Sequence, residues 1–196
     1  PTRIVIEGKK RSGLVSVVNN GTAPGIYKLS FINRRMTDDG NFVDADVAQE
    51  GELFADDIVR ISPRRVTLQP GEHQNVRILV RRKKDQPDGE YRSHLSVMIL
   101  PIEVKKLDEP LEADQLSIQI KSNFGVSIPV IVRKGRLESA IKVDDVQLTK
   151  DQEGKPLLNF TMHRDGNASV YGDIKVLYNT KKEYVLKALG GVAVYS

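Results

Sequence analysis

The chain has 196 residues, room for one domain or two, and 39 % hydrophobic against 29 % charged residues is the balance of a folded globular protein. The absence of cysteine excludes a disulfide framework and thiolate metal sites, and no apolar run approaches the ~18 residues of a membrane span. A net charge of +4 favours acidic partners only mildly, because most such excess is solvated surface.

Short β-branched and aliphatic runs recur along the chain, punctuated by Gly, Pro, Asn and Asp. They predict strands at 3–7, 14–20, 25–34, 58–63, 64–70, 75–82 and 91–100. A long strand over 116–132 follows, and then further strands at 140–148, 156–162, 168–178 and 183–196. Only 45–57 has the composition of a short helix or turn. Many short strands without helices point to β-sandwiches.

The strand count divides the chain. Eight strand candidates up to Val132 are about the number in one immunoglobulin-like sandwich. Arg133, Lys134, Gly135 and Arg136 make a polar break, after which the strand pattern restarts. The expectation is two immunoglobulin-like β-sandwich domains in a bent arrangement, over 1–134 and 135–196. The second part has few strands for a sandwich, which predicts an incomplete, truncated or partly disordered domain. The start at Pro1 fits a processed chain, so it does not argue against secretion.

The stretch LSIQIKSNFGVSIPVIV, from Leu116 to Val132, is the most informative. Leu116, Ile118 and Ile120 alternate with Ser117 and Gln119, which puts three aliphatic side chains on one strand face. The alternation continues through Phe124, Val126, Ile128 and Val130, with Ser122 as the polar break. A strand this long is about three times the usual length, more than a sandwich core needs. Its first half is expected to extend beyond its own core and offer apolar side chains to something else. The charged connection 101–115 before it reads equally as a partner-ordered loop or as a plain solvated one.

Chemistry is sparse. His73, His94 and His163 share no ligand spacing, so no metal or cofactor is expected. No nucleophile elbow, zinc-protease, P-loop or dinucleotide motif occurs, so an enzyme is not expected. Asp38-Asp39, Asp56-Asp57 and Asp144-Asp145 sit in turn-like or strand-end contexts and read as turn or cap residues. Arg81, Arg82, Lys83 and Lys84 form a basic run, but no aromatic platform accompanies it, so nucleic-acid binding is not expected.

Several stretches carry a resemblance. Thr2 to Gly8 resembles the first strand of the periplasmic chaperones of chaperone–usher pilus assembly, the PapD-like family, with its basic residue near the start. Val17-Val18-Asn19-Asn20 resembles that family's second strand. Pro63, Val66, Leu68, Pro70-Gly71, Gln74, Val76 and Arg77 resemble its P-x-x-x-x-L-x-P-G-x-x-x-x-V-R element, and Glu90 with Pro101 its E-to-P element. Leu116, Ile118 and Ile120 resemble its donor strand. The match covers most of 1–134 and is weak beyond. Ser96 stands where the family has Asn, and the second anchoring base falls on Gly125 or Pro129, with Lys121 the nearest cation. A divergent member of the family is implied.

The resemblance implies a periplasmic chaperone that stabilises pilus or fimbrial subunits by donor-strand complementation and delivers them to an outer-membrane usher. Leu116, Ile118, Ile120 and Phe124 would fill the subunit groove, a form of β-augmentation. The first three together would contribute about 5–8 kcal/mol before ordering costs. Arg3 would hold the subunit's terminal carboxylate, and Glu90 with Arg133 would form an interdomain ion pair. The competing reading is a structural or adhesive immunoglobulin-like module that self-associates through the same exposed strand. Neither reading calls for a nucleic acid or insertion into a membrane.

Overall fold

The computed structural model describes residues 2–82, 84–100, 124–179 and 183–195. It is all-β, with no helix among the described residues. The chain clusters into two compact units, one drawn from Pro1–Asn33, Ala55–Lys84 and Arg92–Val132, the other from Arg34–Phe54, Asp85–Tyr91 and Arg133–Ser196.

Among the described residues, eight strands lying almost wholly in the first unit build its two sheets. They are β1 (Ile4–Ile6), β2 (Ser12–Val18), β3 (Gly25–Ile32), β6 (Val59–Ser62), β7 (Arg65–Leu68), β8 (His73–Val80), β9 (Gly89–Leu100) and β10 (Gly125–Lys134). A five-stranded sheet runs β1-β10-β9-β3-β7 and a three-stranded sheet runs β2-β8-β6. Period-two alternation explains the layering. Val15 and Val17, Val59 and Ile61, Val66 and Leu68, and Val76, Ile78 and Val80 are buried, while the residues between them face outward. Each such side chain removed from water contributes about 1.5–3 kcal/mol, so these four short strands hold together through one shared apolar layer.

Asn19 locks the turn after β2. Its side-chain amide donates to Ala23 O (2.9 Å) and Leu68 O (3.0 Å), and its Oδ1 accepts from Gly21 N at 3.0 Å. The backbone adds Asn19 N to Glu72 O and Gly71 N to Asn19 O. A buried polar side chain is tolerated here because every one of these bonds replaces one to water.

In the second unit, β4 (Arg34–Met36) pairs with β5 (Phe42–Asp44), a short strand that the apolar pattern of the sequence does not mark. No helix forms over 45–57; turns and bends do. The Arg35 guanidinium explains how its first part is held: Nε and Nη2 grip the Glu52 carboxylate at 2.7 and 2.6 Å, and Nη2 also reaches Val47 O. Arg133 and Lys134 are not part of a break either. They continue β10, and the turn comes at Gly135 with φ +74°.

Two long hairpins complete this unit: β11 (Ser139–Lys150) with β12 (Pro156–Gly166), and β13 (Val170–Asn179) with β14 (Glu183–Val194). β11 bulges between Asp144 and Gln147, where Asp145 takes φ +52°. Leu158, Phe160 and Met162 form one half-buried face of β12, and with Ile174 and Val176 they border an apolar space of about 260 Å³. Other aliphatics here remain in solvent, Leu148 at 75 % and Leu186 at 64 % exposure.

Gly166 closes the β11–β12 pair opposite Ser139 at φ +99°, and a Cβ placed there would meet Glu138 O at 2.1 Å. Gly166→Ala is therefore expected to cost about 1–3 kcal/mol of stability through backbone strain. Gly154→Ala, also at positive φ but with open space around it, should cost less. Denaturant titration of the two variants checks the contrast.

Candidate functional site

The site is built on β10. Its residues Val130, Ile131 and Val132 pair in parallel with Ile4, Val5 and Ile6 of β1, in that order. All three β10 residues are fully buried. Because β1 begins at Ile4, Gly125 to Pro129 have no strand on that side among the described residues. Pro129 has no N–H to offer, which suits a position where the ladder ends.

The side chains follow the backbone out of the core. Val130 and Val132 are buried, Ile128 is half-buried, Val126 is 69 % exposed and Phe124 is 72 % exposed. Alternation places these five on one strand face. The outer three line an apolar groove of about 550 Å³ with Val15 and Val17 of β2 and Leu95 of β9. The strand thus carries one row of apolar side chains from a packed interior into an open groove.

Gly125 makes the approach of β9 possible. A Cβ there would lie 2.1 Å from Met98 Sδ and 3.1 Å from Val97 O. Ile99 N donates to Phe124 O at 3.0 Å beside it.

Arg3 immediately precedes the Ile4–Val130 pair, next to the stretch that β1 leaves open. It is half-buried, and its Nη1 is shielded from solvent. Phe124 stands immediately before β10. Leu116, Ile118, Ile120 and Lys121 lie outside the described residues, as does the connection 101–115.

Glu90 and Arg133 are brought together: Arg133 Nε donates to Glu90 Oε2 at 3.0 Å, with the carboxylate side chain only 5 % exposed. Glu90 N also donates to Asn167 O. Around this pair, Lys134 Nζ reaches Gln86 O and lies 3.8 Å from Asp88 Oδ1. The Tyr91 hydroxyl donates to Pro87 O at 2.8 Å, and burial, with a smaller contribution from Asp88, raises its pKa above the ordinary tyrosine value. Gly135 packs so closely that a Cβ would fall 1.8 Å from the Asp88 carboxyl carbon.

The sequence pattern does not mark the groove partners Val15, Val17 and Leu95 as site residues, because only long-range pairing brings them there. Nor does it mark the buried polar face of β9, where Glu90, Arg92, His94 and Ser96 alternate. Four polar residues at spacing two are the signal that could have found it. Among the described residues no three His, Cys, Asp or Glu side chains are grouped to hold a metal ion, and no helix is long and apolar enough to cross a membrane.

No family model matches the chain, and no curated protein does. Solved structures do. A chain of a chaperone–tip adhesin complex from CFA/I fimbriae biogenesis matches with TM-score 0.55 at 14 % identity, over 100 % of this chain and 79 % of that one. The class 5 fimbriae chaperone CfaA matches with TM-score 0.52 at 13 % identity, over 100 % and 80 %. The chain has the fold of the pilus chaperones. A chain of the CsuC–CsuE chaperone–tip adhesion subunit pre-assembly complex, from the archaic chaperone–usher Csu pili of Acinetobacter baumannii, shares this chaperone fold with TM-score 0.51 at 13 % identity, over 100 % and 84 %.

Proposed function

We propose that this chain is a periplasmic chaperone that captures pilus or fimbrial subunits by donor-strand complementation and passes them to an outer-membrane usher. The observation that carries the reading is the row Phe124, Val126 and Ile128, which leaves the core of its own unit beside a stretch of β10 edge that β1 does not pair. Such an edge can pair its main chain with an exposed strand edge of a subunit, while its own alternate side chains enter the subunit's apolar groove. The fold shared with pilus chaperones supports the same reading. Leu116, Ile118 and Ile120 would continue the row into the subunit, and Arg3, beside the open stretch, would bind the subunit's terminal carboxylate through its guanidinium fork. Glu90 and Arg133 both fall in the second unit, so their ion pair would hold that unit together rather than join two domains as the resemblance implies. Nothing in this mechanism requires covalent chemistry.

Co-expression with a pilin-like subunit in a bacterial periplasm, followed by affinity capture, tests the proposal. Arg3→Ala should weaken capture by about 2–5 kcal/mol while the chaperone still folds. Replacing Leu116, Ile118 and Ile120 together by Ser should abolish capture and leave the melting temperature of the chaperone nearly unchanged. If the triple variant unfolds as a monomer, those residues belong to an ordinary core. A stable homodimer through β10 that no subunit displaces would favour the self-associating module instead.

A further inference from the structure

We propose that a basic groove between β6 and β7 binds an acidic peptide segment of a protein partner. The groove lies on the β3–β7 side of the five-stranded sheet, away from β10, and does not depend on the donor-strand reading. Its volume is about 390 Å³. Lys28, Arg60, Arg64 and Arg65 line it, all exposed, and Asp56 is its one acidic residue. The Asp56 carboxylate is already engaged, accepting from Asn33 Nδ2 at 3.0 Å. Arg60 spends Nη1 on the backbone oxygens of Asp56, Asp57 and Val59. Among the described residues none of the four cations takes part in an ion pair. Four like charges around one concavity repel each other, and a ligand carrying carboxylates relieves that repulsion.

Two further observations select an extended peptide over a compact anion. The groove is bordered by two sheet edges, since β6 ends the three-stranded sheet and β7 ends the five-stranded one. Edge strands offer main-chain donors and acceptors to an added segment. Half-buried Phe31 also lines the groove, above the buried side chains of Leu29, Val59 and Ile61, which suits an apolar residue set among acidic ones.

The test is fluorescence anisotropy of the full chain with a fluorescein-labelled Glu-Asp-Leu-Asp-Glu peptide, at low and high salt. Binding should weaken as salt rises. The double variant Arg64→Glu/Arg65→Glu should lose at least about tenfold in affinity. Arg64→Gln/Arg65→Gln should lose less, and Lys150→Ala, at an exposed lysine of the second unit, should lose nothing, which separates this surface from general attraction to a basic chain. Melting curves establish that each variant is folded. The proposal is overturned if the uncharged Gln-Asn-Leu-Asn-Gln peptide binds equally well, if the charge-reversed variant retains full affinity, or if a short polyphosphate displaces the peptide at equal concentration.

Discussion

Ile131→Ala should destabilise the protein by about 2–5 kcal/mol, the cost of deleting a fully buried aliphatic side chain and leaving a cavity. Ile131 sits at the centre of the β1–β10 ladder, opposite Val5, with buried valines on either side. The surrounding strands are held by backbone bonds and cannot collapse freely into the space. Phe124→Ser, just ahead of the same strand and on its other face, should change stability by less than about 0.5 kcal/mol, because its ring is largely in solvent already. Urea denaturation of both variants measures the contrast. Equal effects would mean that the outer part of β10 belongs to the same packed core as the inner part, and the idea of a strand divided between two interiors would be lost.

Arg133→Ala is expected to be at least as damaging, at about 3–5 kcal/mol, because it strands the Glu90 carboxylate in a site where its side chain is 5 % exposed. Glu90→Ala should cost less. Arg133 keeps more contact with water, at 26 % side-chain exposure, and tolerates the loss of its partner better. The double variant should cost less than the sum of the two single changes, since neither charge is then left behind. A thermodynamic cycle by chemical denaturation gives the coupling directly. Additive effects would show that the 3.0 Å contact carries no stabilisation.

The layered part of the fold is legible because its strands obey a simple rule. In β6 and β7 every second side chain is apolar and buried, and β2 and β8 follow the same alternation from Val15 and Val76 onward. In β9 that rule fails. Residues from Gly89 to Ser96 are buried on both faces, and the second face is polar, so alternation alone does not describe it. The 45–57 stretch is ambiguous because what organises its first part is Arg35, well upstream, rather than any local helix signal. At the site, the exposed continuation of the β10 row follows from its periodicity, whereas the groove it lines requires knowing that β2 packs across from it. Gly125 gives no hint in the sequence of the Met98 side chain that excludes any larger residue.

The locked turn after β2 also bears on how the molecule ages. Asn20 is exposed and followed by Gly21, the pairing most prone to spontaneous deamidation, in which the glycine nitrogen attacks the asparagine side-chain carbonyl, ammonia leaves and water later opens the ring. Here that nitrogen already donates its hydrogen to Asn19 Oδ1 and is held within a turn by it. Asn19 thereby guards its neighbour chemically as well as fixing the chain, and loss of its side chain would free a latent clock that turns a neutral surface residue into an acidic one.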